Sequence, residues 1–376
     1  MKVLVFPRDD QNPYQRLLYG EMERCGTNIS YLGRLTPSRS LNLLLLPLEV
    51  AVRRAAGARL IHLHWVYGFG FPGAERFPAM RRLAQAWFTL WLRLIGLIGV
   101  HLVWTAHNDL PHAPVFADDV GTRRALVAAS DLVLAHSQSA LDGLAALGAQ
   151  PRKSAIIPHG PLAPVRAAWS STPGSGGGPR HILFFGKILD YKGVEDLLSA
   201  FADVPAGTAA TLTVAGQCED PAMRERLRAL ARASGERVTL RLERVAEQDV
   251  APLLESADVV VLPYRKVTTS GSAMLALAYG RPLILPDLDA FAHLPREAIV
   301  SYDRTRRGLT SALAQAANAE SSTLAAMAAS ARAYAAALSW REIAARTRCE
   351  MDLVLGLATR PCDHGDPVTV SATARG

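Results

Sequence analysis

DVVVLPYRKVTTSGSAMLALAYGRPLILP, residues 258–286, decides how the chain folds. A short apolar run, Val259 to Leu262, is ended by Pro263. A polar turn, Thr268-Thr269-Ser270-Gly271, follows. An Ala/Leu-rich helical run then stops at Gly280, and Pro282 to Leu285 opens another apolar strand. Strand, turn, helix and strand make one βαβ unit. The helix starts on small residues with unpaired backbone N–H groups, and with the positive end of the helix dipole these form a phosphate site. The competing reading is that Thr269 or Ser270 only caps the helix.

The same rhythm extends in both directions. Strands are predicted at Lys2–Phe6, Leu60–Trp65, Leu102–Ala106, Asp131–His136 and Ser154–Pro158, with helical runs at 14–25, 43–56, 80–94, 121–129 and 139–147. The segment 169–180, WSSTPGSGGGPR, has linker composition. The pattern then restarts, with strands at His181–Phe185, Thr211–Ala215 and Val238–Leu242 and helices at 194–202, 221–233 and 248–256. The fold class is therefore α/β, with two doubly wound Rossmann-like domains facing a central cleft. The expected divisions are 1–168, the linker 169–180, 181–338, a last helix at 339–360 packing back toward the first domain, and a disordered tail at 361–376.

Composition narrows the partners. The chain has 376 residues, 49% of them hydrophobic, and a formal net charge of +7. That charge suits anionic ligands such as nucleotide phosphates or an acidic membrane face. Lys and Arg are scattered, which points away from nucleic acid. The four cysteines form no Cys-x-x-Cys pair, so metal and redox sites are not indicated and a cytoplasmic setting fits. MKVLVFPRDD reads as a first strand, not a signal peptide. Leu83 to Trp104 is apolar enough to raise a transmembrane question, but Arg93, Gly96 and Gly99 interrupt it. With the run Leu41 to Leu48 it could rest one domain on the inner face of a membrane, against the equal reading of ordinary core helices.

The chemistry-bearing residues fall at strand ends, where doubly wound sheets bind ligands. After the strand ending at Phe185 come Gly186, Lys187 and Lys192. Two cations beside a helix start suit a diphosphate leaving group. In the first half the strand ends read PRDDQNPY, HWVYGFG, TAHNDLPH, HSQS and PHG. His107 is the leading catalytic candidate, since it falls at a strand end and an imidazole pKa can be set near neutrality, and Asp109 is the second. His112, His136 and His159 share the ambiguity of a core histidine. Asn12, Tyr14, Trp65 and Tyr67 could form an acceptor floor, because aromatics stack on sugar faces. Asp287-x-Asp289 reads better as a turn than as a metal-binding pair.

FFGKILDYKGVEDLLSAF, SADVVVLPY, the small-residue helix start and YGRPLILP together resemble the nucleotide-sugar-dependent glycosyltransferases of GT-B fold. They are most similar to the bacterial group related to sucrose synthases and capsule or antibiotic sugar transferases. TAHNDLPH and IIPHG resemble that group's Thr-x-His strand end and Ile-Pro-Asn-Gly segment, with His159 in place of Asn. The resemblance implies a UDP- or GDP-sugar donor held by the second domain through Gly186, Lys187, Lys192 and Thr268 to Gly271. It also implies a sugar, lipid-linked or small-molecule acceptor held by the first domain, and no cofactor or metal. Lys187 stands where the group has Arg, and the group's two donor-contacting glutamates fall near Val267 and on Leu275. Those departures keep two rivals open: a nucleotide-sugar hydrolase or epimerase, and a non-catalytic nucleotide-sugar or membrane-surface binding protein.

Overall fold

The computed structural model describes residues 1–10, 12–74, 76–111, 113–166 and 178–358. The predicted linker lies mostly outside this range, as do the tail and His112. Contacts divide the chain into a unit of Met1–Gly160 with Leu338–Gly376, and a unit of Pro161–Ala337.

The first unit contains β1 (Lys2–Phe6), α1 (Pro13–Arg24), β2 (Asn28–Tyr31), α2 (Arg39–Ala55), β3 (Leu60–Leu63) and α3 (Pro78–Leu97). It continues with β4 (His101–Ala106), α4 (Asp119–Ala129), β5 (Leu132–Ala135), α5 (Gln138–Ala146) and β6 (Ser154–Ile156). Its six strands are parallel, in the order β2-β1-β3-β4-β5-β6. β1, β3 and β5 are buried almost throughout, because helices cover both faces of the sheet. One face carries Ile61, Leu63, Trp104 and Val133 against α2 to α4. The other carries Leu60, Val103, Leu132 and Leu134 against α1 and the late helix α12, Trp340–Val354. Arg346 Nη2 on α12 donates to Ile156 O at 3.2 Å, and Arg348 Nη1 donates to Cys25 O.

The second unit contains β7 (Arg180–Phe185), α6 (Val194–Ala202), β8 (Ala210–Ala215), α7 (Pro221–Arg232), β9 (Val238–Arg241) and α8 (Glu247–Ser256). β10 (Val259–Val261), α9 (Gly271–Ala278), β11 (Leu283–Pro286), β12 (Ile299–Tyr302), α10 (Arg306–Asn318) and α11 (Ser321–Ala336) complete it. The order β12-β11-β10-β7-β8-β9 places the topological switch between β7 and β10, whose carboxyl ends are where such sheets take ligands. Pro161 to Arg166 belong here as well, with Arg166 N donating to Ala278 O at 2.9 Å.

Close backbone approach at the switch point favours glycine. Gly193 sits at φ 67°, and a Cβ there would lie 2.1 Å from Pro263 O, so the turn after β7 presses directly on the end of β10. Arg265 ties the same two segments by donating to both Asp196 oxygens, at 2.8 and 3.0 Å, and to Asp190 Oδ1 at 2.8 Å. Gly193→Ala is expected to cost about 2 kcal/mol or more, because a strained backbone and a clash combine. Gly235→Ala, at φ 58° with open space around it, should cost only about 1 kcal/mol. Chemical denaturation of the two variants checks the order, and equal losses would refute the contact.

Candidate functional site

The carboxyl ends of β7 and β10 carry the cationic site. Gly186 ends β7 at φ 140°, and a Cβ there would lie 2.9 Å from Ser272 Oγ and 3.0 Å from Lys192 Nζ. The bare glycine thus makes room for a lysine ammonium beside the first turn of α9. Lys192 Nζ also lies 5.3 Å from the centre of the Tyr264 ring, which steadies the cation. Ser270 caps α9, its Oγ accepting from Ala273 N at 3.1 Å. The capping and phosphate readings of this turn coexist, since the cap takes one amide and leaves the neighbouring ones without intrahelical acceptors. Thr269 Oγ1 is buried here with no hydrogen-bond partner. Thr268, Thr269, Ser270, Gly271, Gly186 and Lys192 are therefore parts of one strand-end surface. Lys187 is directed elsewhere, with its ammonium on Glu219 Oε1 at 3.0 Å. Val267 and Leu275 are half-buried and bring no carboxylate.

The first unit gathers a buried histidine layer at its strand ends. Alternation along β3 and the residue after it puts His62 and His64 on the face covered by α1. β4 adds Thr105 and, just past its end, His107, and β5 is followed by His136. A neutral imidazole has one donor and one acceptor, so a single carbonyl fixes the order of protons. His136 Nδ1 donates to Ile157 O at 2.9 Å, so its Nε2 accepts from His107 Nδ1 at 3.2 Å. His107 Nε2 then accepts from His64 Nδ1 at 2.9 Å, and His64 Nε2 accepts from the Tyr19 hydroxyl at 2.5 Å. Tyr19 in turn accepts from His62 Nδ1 at 2.7 Å, and His62 Nε2 accepts from Thr105 Oγ1 at 2.7 Å.

Burial and the neighbouring histidines hold His64 and His107 well below the ordinary imidazole pKa, and burial lowers His62 to about 3. His107 reaches the strand-end surface, but both of its ring nitrogens are occupied by histidines. Its imidazole is thus held well below the near-neutral range expected from the sequence. His62 and His64 were missed as a pair, although two histidines spaced by two in LIHLHW mark one polar face of a buried strand.

Beside this layer, within the first unit, lies a cavity of about 490 Å³. Trp65, Tyr67, Phe71, Trp104, His64 and His107 line it, together with Asn108, Arg39 and Arg123. Trp65 stacks on His107 at 4.6 Å and on Tyr67 at 6.1 Å between ring centres. Tyr67 donates from its hydroxyl to Asp9 Oδ2 at 3.0 Å. Trp65, Tyr67 and His107 thus share one wall.

Asn12, Tyr14 and Asp109 do not line the cavity. Asn12 caps α1, accepting from Tyr14 N at 3.0 Å. Tyr14 is buried with its ring against His64, His107, His136, His159 and Trp340. Asp109 lies against α5, where a Cβ on Gly143 would meet its carboxylate at 2.8 Å.

Arg123, on α4, was also missed. Its guanidinium lies 4.6 Å over the Trp104 ring and is only 5% exposed as a residue. Burial lowers its pKa to about 10, against the opposing pull of Asp109 and Asp119. The signal was an arginine at helical spacing with the buried Leu126 and Val127. Among the described residues no group of three His, Cys, Asp or Glu side chains is arranged to hold a metal ion.

Two parallel six-stranded sheets with ligand-type strand ends define the GT-B architecture. Residues 179–321, all within the second unit, match the family model of glycosyl transferases group 1. A GDP-mannose:glycolipid 4-beta-D-mannosyltransferase of Xanthomonas campestris pv. campestris is 32% identical over 242 residues, which cover 63% of this chain and 64% of that relative's length. Among solved structures, sucrose-phosphate synthase from Thermosynechococcus elongatus matches with a TM-score of 0.72 at 18% identity, over 95% of this chain and 99% of that one. Anabaena HepE in complex with UDP matches with a TM-score of 0.66 at 16% identity, over 95% and 100%.

The buried histidines make stability depend on pH. Unfolded, His62 takes a proton below about pH 6.5, whereas folded it stays neutral until about pH 3. Unfolding therefore takes up a proton in that window, and stability is full above it and lost as pH falls through it. The first unit should lose about 2 kcal/mol from His62 alone between pH 7.5 and pH 5. Urea denaturation at the two pH values measures this, and a pH-independent midpoint would remove the neutral-histidine assignment.

Proposed function

We propose that the chain is a glycosyltransferase that moves mannose from GDP-mannose to a hydroxyl of a glycolipid. One observation carries the donor half: the Gly186 turn seats the Lys192 ammonium beside the start of α9, where helix amides and an unpartnered Thr269 hydroxyl accompany it. Charge develops on the diphosphate as the glycosidic bond breaks, and a fixed cation with pre-oriented amides stabilises it without a metal ion. The choice of GDP-mannose and glycolipid follows the activity carried in the name of the Xanthomonas relative. The aromatic cavity of the first unit suits the acceptor, since Trp65 and Tyr67 offer stacked faces to a sugar ring.

Lys192→Ala should reduce turnover of the donor by about 10²-fold while the protein stays folded. The assay is GDP release from GDP-mannose with a lipid-linked oligosaccharide acceptor, beside circular dichroism of the variant. Undiminished turnover would remove the clamp, and GDP release without acceptor would favour a hydrolase.

A glycolipid acceptor places the enzyme at a membrane, and the first unit has a surface for it. Leu44, Leu48 and Val52 on α2 are 51%, 62% and 61% exposed at helical spacing, and Arg53 and Arg54 follow in its last turn. An apolar stripe with adjacent cations binds the interface of anionic lipids. Among the described residues no helix is long and apolar enough to cross a membrane. Leu48→Glu should lower co-sedimentation with anionic phosphatidylglycerol vesicles several-fold and leave binding to neutral vesicles weak. Equal sedimentation of both proteins would exclude this face.

A further inference from the structure

We infer that the cavity of the first unit contains an anion subsite in which Arg123 and Arg39 hold a carboxylate or phosphate carried by the acceptor. The inference rests on the assignment of the first unit to the acceptor. Its starting point is a buried arginine whose guanidinium has no hydrogen-bond acceptor among the described residues. Arg123 lines the cavity, is buried, and makes no hydrogen bond or ion pair among the described residues. Its Nε is fully enclosed without a partner.

Buried charges are normally paired, because taking a guanidinium out of water without hydrogen bonds is costly. The two nearest carboxylates do not supply the bond. Asp119 Oδ1 is occupied by the amides of Val115 and Phe116, at 3.3 and 3.0 Å, and Asp109 faces Gly143. Stacking on Trp104 fixes the plane of the guanidinium and leaves its edge for a ligand.

Arg39 supplies a second cation to the same cavity. Its Nη2 donates to Tyr67 O at 2.8 Å, which anchors the side chain next to the Trp65–Tyr67 stack. A ligand that lays a sugar face on the aromatics would bring an acidic substituent of that sugar to the arginines. A planar fork gives bidentate contact with either a carboxylate or a phosphate, so the two sources share one chemistry and need separate probes.

The test uses the full chain and three probes with one ring: D-glucose, D-glucuronate and glucose 6-phosphate, measured by calorimetry. Wild type should bind at least one charged sugar about tenfold more tightly than glucose. Preference for glucuronate identifies a carboxylate, and preference for glucose 6-phosphate a phosphate ester. Arg123→Met should erase the preference in a protein that stays folded by circular dichroism, because methionine keeps the buried stem against Trp104 and removes only the charged fork. Arg39→Gln, at an exposed position, should weaken the preference several-fold and leave the thermal midpoint unchanged.

Equal binding of all three sugars by wild type overturns the proposal. So does a folded Arg123→Met protein that keeps the preference, since the charged fork then takes no part in binding. GDP binding measured in the same samples separates the two readings. Its loss in wild type would remove the donor assignment and leave the anion subsite standing, while intact GDP binding with no charge preference would do the reverse.

Discussion

Parallel strands covered on both faces leave polar side chains one place to act, the carboxyl ends. Water is excluded along the strands, so any polar group nearer the middle has to find its partner inside the sheet. In the first unit that demand is met by histidine. Each neutral ring passes one hydrogen bond on, and the Ile157 carbonyl sets the direction for the whole chain of rings. The order is cooperative, because reversing one ring leaves two donors or two acceptors facing each other. This accounts for the burial of Tyr19 among the histidines: its hydroxyl joins His64 to His62.

The second unit treats the same geometry in the opposite way. At the β7 and β10 ends hydrogen-bonding capacity is left over: the first amides of α9, the Thr269 hydroxyl and the Lys192 ammonium. Glycines keep side chains out of this space. Gly216, at φ 156°, would put a Cβ 1.9 Å from Gly186 O, and Gly193 is equally intolerant against Pro263. A polar layer that satisfies itself is a scaffold, whereas one that cannot do so is shaped for a charged ligand. Arg123 brings the second situation into the first unit.

How much of this could be read from residues alone follows from which groups are buried on both sides. Central strands such as VLVF and LVLA announce themselves as apolar runs, and the phosphate-type turn at 268–271 stands out between two of them. Two of the four edge strands, β2 and β12, NISY and IVSY, do not. A serine interrupts the apolar run of each, whereas the other two edges, β6 and β9, fall within the predicted stretches 154–158 and 238–242. The strand-end assignments of Gly186 and Lys192 needed only the position of β7. The destination of Lys187 depended on Glu219, which lies far along the chain and meets it only across the adjacent strand ends of β7 and β8. His107 was placed at the correct strand end, but its engagement on both nitrogens required His64 and His136 from neighbouring strands.

The residues near Val267 and at Leu275 bear on how a donor would be held. Without a carboxylate at either, α9 would bring no acidic group to a ribose, and recognition of a bound donor would rest on the diphosphate. Its partners there would be the Lys192 ammonium, the helix amides and the hydroxyls of Thr269 and Ser272. A clamp of that kind is dominated by charge rather than by the direction of hydrogen bonds to a sugar. It discriminates poorly between nucleosides, because every nucleoside diphosphate presents the same anion. Selectivity for one donor then has to come from contacts with the base or the transferred sugar, and the affinity that remains is of the kind that salt screens.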